Sequence, residues 1–258
     1  MSWERNIVLK SPQEIAVMRQ AGRINALALQ AVRQMIRPGV TTAELDAVAE
    51  EVIRKHGATP TFKGYPGPYP YPATLCTSIN EQLVHGIPGK RKLQSGDVIS
   101  VDCGSTFEGF VGDAAFTVGV GEISPQARRL IEVTEQALYE GIRQMRAGNR
   151  VGDVSAAIQK YVESYDFHVT REYTGHGVGR QMHEGPQVPN YGIAGRGMIL
   201  RPGMTIALEP MVLAGTHRTR VLPDAWTVVS ADGSLTGHYE HSVAVTEGEP
   251  LILTLPEG

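Results

Sequence analysis

Acidic residues recur in this chain inside strand-like apolar runs, where burying a carboxylate is costly. Asp102 lies in VISVDCG, Asp113 in FVGDAAFTV, Glu209 at the end of TIALE, and Glu240 in YEHSVAV. The first two runs read as a hairpin: VISVD ends at Asp102 and the chain turns through Ser105 to Gly109. A loop centred on Phe107-Glu108 puts 102 opposite 113, with Cβ atoms ~5 Å apart, where like charges repel. The second pair repeats that placement. Four carboxylates therefore converge where two hairpins meet, and such a cluster needs protons or cations to exist. Hard oxygen donors with an imidazole suit two divalent ions that share bridging carboxylates, about 3.5–4 Å apart.

The imidazole is expected from YTGHGVGRQMHEGP, where His176 lies between Gly175 and Gly177 and small neighbours permit close approach. His183 follows seven residues later, with only Arg180 charged between them. No GxGxxG that could cradle a phosphate precedes a convincing helix here. His85, before a Gly-Ile-Pro turn, is a weaker signal taken alone. His56, His168 and His217 offer nothing beyond solvation. His238 and His241 flank Glu240, but strand alternation turns His241 away and places His238 deeper on the same face, so neither is counted as a ligand.

The elements that must position these groups are written twice. Ser11-Pro12-Gln13-Glu14 has the N-cap, first-turn proline and capping-box glutamate of a helix start, and Ser124-Pro125-Gln126 opens a second helix the same way. Each helix then meets a break, RPGVTTAELDAV from Arg37 and RAGNRVGDVSAA from Arg146, and these pair without a gap, Gly39 with Gly148 and Leu45 with Val154. GDVISVD pairs with GMTIALE, and GDAAFTV with YEHSVAV. The order helix, helix, strand, strand thus occurs over about 11–119 and again over about 124–246. The expected fold class is α+β: a duplicated, pseudo-twofold unit whose helices cover one side of a curved antiparallel sheet.

The 258 residues carry 24 Lys and Arg against 27 Asp and Glu, a net charge of −3 that gives no reason to expect DNA as a partner. The basic run Lys90-Arg91-Lys92 reads as a solvated loop, with docking on an RNA-rich partner the lesser reading. Cys76 and Cys103 are too few for a disulfide framework. No apolar run approaches the ~20 residues that cross a bilayer, and MSWERNIVLK lacks a signal-peptide pattern. The expected location is the cytoplasm, with no membrane partner.

LVHGIP, DVISVDCG, GDAAFTV, TGHGVGRQMHEGP, TIALEPMV and GHYEHSVAVTE, in this order and spacing, resemble the successive signatures of type I methionine aminopeptidases, over about Ser11 to Thr254. The resemblance implies the pita-bread fold, a duplicated α+β unit, across one catalytic domain, 1–258. It implies a metallo-exopeptidase that removes the initiator methionine from nascent polypeptides with a small second residue. Its implied ligands to two divalent ions (Co, Mn, Fe or Zn) are Asp102, Asp113, His176, Glu209 and Glu240. Asp113 and Glu240 would bridge, Asp102 would chelate one ion, and His176 with Glu209 would complete the other. His85 and His183 would be the histidines that contact the scissile peptide, and Glu209 would carry the proton from water to the leaving amine.

The resemblance also maps a methionine pocket to Phe62, Tyr65, Cys76, Met182 and Trp226, where thioether–aromatic contacts suit the substrate. Two features depart from its pattern. PGPYPYPATL, between Tyr65 and Cys76, is longer and richer in Pro and Tyr, and alternating Pro should hold it extended, either as a spacer loop or as a wall or rim of the pocket. Met182 stands where an aromatic residue is common. The rival enzyme readings are prolidase and aminopeptidase P, which share the fold and carry a large additional N-terminal domain; the rival of another class is a non-catalytic pita-bread binding protein. All five ligand positions are filled by competent donors, which favours the enzyme. A monomer is expected, and a transient ribosome contact is left open.

Overall fold

Ser11 caps the first helix as its sequence predicts: its hydroxyl accepts from the Glu14 N–H, and the Glu14 carboxylate accepts from the Ser11 N–H. This helix, α1 (Pro12–Met35), is followed by α2 (Thr42–Lys55), which Thr41 and Glu44 cap in the same reciprocal way. The computed structural model describes residues 7–256, so the stretch MSWERN, where a signal pattern would begin, lies outside the described residues. The first half continues through β1 (Thr59–Pro60), β2 (Leu75–Ile79), β3 (Gln82–Val84), β4 (Val98–Phe107) and β5 (Phe110–Gly119). The second half opens with α3 (Pro125–Gln144), α4 (Val151–Glu163), β6 (His168–Val169), β7 (Thr174–Gly177) and β8 (Glu184–Pro189). It ends with β9 (Thr205–Leu208), β10 (Met211–Leu213), β11 (Thr219–Val221), β12 (Val228–Ser230), β13 (Thr236–His238), β14 (Glu240–Ala244) and β15 (Leu251–Ile252).

The pairing of the two halves is visible in the backbone. Gly39 and Gly148 have φ of +93° and +91°, a left-handed conformation that favours glycine. Their amides donate to Leu93 O at 2.8 Å and Leu200 O at 3.0 Å, each three residues before a further positive-φ glycine, Gly96 or Gly203. The two helix breaks therefore make the same turn against the same neighbour.

Among the described residues all strand pairings are antiparallel. The main sheet has nine strands, in the order β1-β4-β5-β14-β9-β7-β8, with β2 also on β4 and β15 also on β14. Two three-stranded sheets, β13-β10-β6 and β11-β12-β3, complete the β structure. Strand alternation splits the central strands between two duties. Ile99, Val101 and Cys103 of β4, Ala114 and Phe116 of β5, Ile206 and Leu208 of β9 and Val243 of β14 all enter one core cluster with residues of the four helices. Their neighbours in the chain, Asp102, Asp113 and Glu240 among them, face the other way. No helix among the described residues is long and apolar enough to cross a membrane. Cys76 and Cys103 are buried, free thiols, and Lys90, Arg91 and Lys92 are exposed.

Three expectations are corrected. β4 does not end at Asp102 but runs on to Phe107, and the loop is the two-residue Glu108-Gly109, with φ of +47° and +76°. Two positive φ values are what a tight hairpin turn requires. The loop centre is thus one residue later than expected, and the register moves by two: Asp102 pairs with Ala115, and Asp113 with Gly104. A shift of two preserves the face, so both acids still project to one side, diagonally rather than directly opposed. The second half also holds no matching hairpin, because β10 to β13 intervene between β9 and β14.

α1 approaches the sheet backbone closely. A Cβ on Gly22 would lie 2.3 Å from the Leu253 carbonyl oxygen, and one on Gly112 would lie 2.5 Å from the Gly22 nitrogen. The buried Asn25 amide donates to Gly112 O at 2.8 Å and to Cys103 O, tying the helix to both strands of the hairpin. Gly22→Ala should therefore force α1 off the backbone at Leu253 and lower stability by about 1–3 kcal/mol, read as an earlier urea midpoint. An unchanged midpoint would show that the helix moves without cost.

Candidate metal centre and substrate pocket

The ladder aligns the acids. Cys76 pairs with Asp102, Asp102 with Ala115, and Ala115 with Glu240, so one row crosses β2, β4, β5 and β14. Glu209 follows Leu208, whose partner is His241, and so extends the row beyond β14. Asp113 lies one pleat along, opposite Gly104. Between Asp102 and Glu240 the row has only the methyl of Ala115, leaving space above the sheet. His176 reaches the same face from β7, where its partner is Ala207 of β9; it is a strand residue rather than a turn residue.

Asp113 and Glu240 are 1% and 2% exposed, while Asp102 and Glu209 open onto a cavity. Burial raises all four carboxylates well above their ordinary range. Mutual repulsion adds to this: Asp113 acts on Asp102, Glu209 on Asp113, and Asp113 with Glu209 on Glu240. Asp102 Oδ1, Asp113 Oδ1 and Glu240 Oε1 are buried with no hydrogen-bond partner among the described residues. A buried oxygen without a donor is costly, and three in one cluster mark a place for cations. The donor atoms form two nests that share Glu240, one with Asp113 and His176, the other with Glu209 and His238.

The imidazoles are held neutral. Burial and then the nearby His183 lower His176 to about 3, and its Nδ1–H donates to Gly177 O at 3.0 Å. That bond leaves the Nε2 lone pair aimed at the acids, 3.8 Å from Asp113 Oδ2 and 3.5 Å from Glu209 Oε1. Burial, followed by His238 and His183, lowers His85 to about 4. His85 comes directly after β3 with φ +60°, uncommon for a non-glycine residue and typical of strain kept at a working site. Burial also lowers His183, whose Nδ1 lies 2.6 Å from the Tyr65 hydroxyl. The loop that carries His183 is pinned by the buried pair Lys10–Glu184 at 2.5 Å, and Glu184 also accepts from Gln181 N–H.

A cavity of about 160 Å³ adjoins the acids, and its lining includes all twelve residues expected from the sequence: Asp102, Asp113, His176, Glu209, Glu240, His85, His183, Phe62, Tyr65, Cys76, Met182 and Trp226. Tyr71 lines it too and was not foreseen. Its hydroxyl donates within reach of Leu75 O at 2.9 Å and Gly86 O at 3.0 Å, and its ring meets Trp226 edge-on at 5.1 Å. The Pro/Tyr segment is not the extended spacer that its prolines imply. Gly64 N–H donates to Tyr71 O and Tyr71 N–H to Tyr65 O, so it closes into a loop that walls the cavity. The sequence signal for Tyr71 was this segment's unusual length. His238 is the second residue passed over: it ends β13, with Tyr239 between it and the start of β14, so the alternation of a single strand does not govern it. His241 does point away, to Thr254 Oγ1 at 2.8 Å.

Residues 16–247 match the metallopeptidase family M24. The chain is 51% identical to the methionine aminopeptidase of Clostridium perfringens over 249 residues, covering 96% of this chain and 99% of that one. The crystal structure of a methionine aminopeptidase from Thermotoga maritima superposes with a TM-score of 0.94 at 46% identity, covering 97% and 100% of the two chains. A prolidase from Pyrococcus horikoshii shares the fold at a TM-score of 0.75, with 22% identity and only 64% of its chain covered. On the family match, the identity and the coverage together, the chain belongs to the M24 metallopeptidases and, within them, to the methionine aminopeptidases.

Proposed function

We propose that this chain hydrolyses the first peptide bond of peptides that begin with methionine, preferring a small second residue, with two divalent ions held by Asp102, Asp113, His176, Glu209 and Glu240. The observation that carries the reading is the row of buried, unpartnered carboxylate oxygens beside an apolar cavity. Asp113 and Glu240, the most buried acids, are suited to sharing both ions, Asp102 to one, and His176 with Glu209 to the other. The ligand chemistry suits Mn, Fe, Co and Zn. Such ions, when bound, supply the charge that makes hydroxide available from water near neutral pH.

The remaining chemistry falls to this chain's own side chains. Glu209, on the rim between the acids and the cavity, takes the proton of the attacking water and returns it to the leaving amine. The Tyr65 hydroxyl donates to His183 Nδ1, which leaves Nε2–H to donate to the developing oxyanion. His85, neutral and held by its constrained backbone, accompanies the scissile nitrogen. Phe62, Tyr65, Tyr71, Cys76, Met182 and Trp226 bound the methionine side chain with aromatic edges and sulfur. In this reading residues 1–258 act as one catalytic domain of two related halves, about 11–119 and 124–246, a monomer working on nascent chains in the cytoplasm. Pairing of β5 with β14 across the halves supports the single domain.

Three outcomes test the proposal. With added Co or Mn, the purified protein should release Met from Met-Ala-Ser and leave Met-Lys-Ser and N-acetylated peptides intact; equal cleavage of both peptides, or preference for a proline-containing bond, would refute the substrate assignment. Asp113→Asn removes an acid from a crowded, buried cluster, so its metal-free form should melt no earlier than the metal-free parent. The rise in melting temperature that metal gives the parent should then be absent, and a variant still stabilised by metal would rule out a bridging role. Tyr65→Phe should lower kcat about tenfold with KM little changed, since it disturbs a group engaged mainly in the transition state; a change confined to KM would make Tyr65 a pocket wall only.

A further inference from the structure

His238 has no role in the reading above, yet its ring is aimed at the centre. The residue is 1% exposed, and its Nε2 is buried with no hydrogen-bond partner among the described residues. That nitrogen lies 3.5 Å from Glu209 Oε2 and 3.7 Å from Glu240 Oε2. Both distances exceed the roughly 3.2 Å limit of a good N–H···O bond. They match instead two donors on a common ion: at bonds of ~2.1 Å, ligand atoms lie about 3.0 Å apart at a right angle, 3.4 Å at the tetrahedral angle, and farther at wider angles. His176 Nε2 shows the same spacing, 3.5 Å from Glu209 Oε1 and 3.8 Å from Asp113 Oδ2. Each oxygen of Glu209 therefore has one imidazole nitrogen at 3.5 Å.

The backbone that presents His238 is fixed independently. Thr117 Oγ1 accepts from the His238 N–H at 2.8 Å, donates to the His238 carbonyl at 2.7 Å, and lies 2.8 Å from Ser100 Oγ. The one donor and one of the two acceptor sites of the Thr117 hydroxyl hold His238, and the other acceptor site is left for the Ser100 hydroxyl. β10 adds the pairing of Met211 with His238. The backbone that carries the imidazole is thus fixed, and its buried ring nitrogen needs a partner.

We infer that His238 is a further metal ligand, supplying an imidazole nitrogen beside Glu209 and Glu240 in addition to the one that His176 supplies. The inference rests on the metal-site reading above and extends it from one nitrogen donor to two. A second imidazole in place of solvent biases the pair toward Co, Fe and Zn and away from Mn, which prefers oxygen donors.

The test is proton NMR of the protein loaded with two equivalents of cobalt(II), in which an imidazole bound to the ion shows a hyperfine-shifted, exchangeable N–H resonance. Two such resonances are expected, one lost in His176→Ala and the other in His238→Gln. Titration of metal-free protein with cobalt(II) should show one binding step weakened at least about tenfold in His238→Gln, with the metal-free melting temperature reporting that the variant is folded. A single resonance in the parent, lost in His176→Ala, would overturn the assignment of His238 and leave the metal-site reading intact. The absence of any shifted imidazole resonance would overturn both. Because the parent spectrum alone counts the bound imidazoles, the test does not depend on the variants folding.

Discussion

The mutual repulsion of carboxylates projecting from one face of a sheet is the constraint around which this molecule is organised. Strand alternation delivers apolar residues to the helices and polar ones to the opposite side. On β4 this gives Ile99, Val101 and Cys103 to the core and Asp102 to the site; on β5 it gives Ala114 and Phe116 to the core and Asp113 to the site. The acids cannot relax toward water without taking the apolar face with them, since a one-residue slip would exchange the two sides. The packing of four helices thus holds together charges that would otherwise separate. Ala115 is part of the same arrangement: a larger side chain between Asp102 and Glu240 would fill the volume that cations need.

The residues around the acids are oriented from several directions at once. His183 takes its orientation from Tyr65, while its loop is pinned through Glu184 by Lys10, which lies just before α1. His85 and Trp226 come from the ends of β3 and the approach to β12, paired strands of one small sheet, and their rings meet at 6.3 Å. Asp224 accepts from both Trp226 N–H and Thr227 N–H, fixing the turn that carries the indole. A site whose residues are held from several separate elements is preorganised.

Much of this was legible in the sequence because local rules carried it. A capping box placed the start of α1 and a Ser-Pro pair the start of α3, and period-two alternation placed the acids on one face even though the predicted register was two residues off. The gapless pairing of Gly39 with Gly148 anticipated matching φ values and matching hydrogen bonds. The misses fall where a long-range contact decides. Nothing local to PGPYPYPATL says that Gly64 and Tyr71 close a loop, or that Tyr71 turns its hydroxyl to Gly86. His238 was set aside by treating residues 238 to 240 as one strand, whereas β13 and β14 pair with different partners and the chain changes sheet at Tyr239.

The asymmetry of the two halves is what turns a charge cluster into a site with a direction. β2 lies outside β4 as β7 lies outside β9, so the same position in the scaffold is used twice. In the first half that outer strand places Cys76 beside Asp102 and, with the segment before it, builds an apolar wall from Phe62, Tyr65 and Tyr71. In the second half it places His176, and a glycine-rich stretch follows that permits close approach. Duplication supplies the near-symmetric acids of a divalent-metal site, while divergence of the outer strands puts an apolar cavity on one side and imidazoles on the other. A substrate with one apolar side chain and one reacting carbonyl is asymmetric in the same sense, so its orientation is set by where the halves differ rather than by what they share.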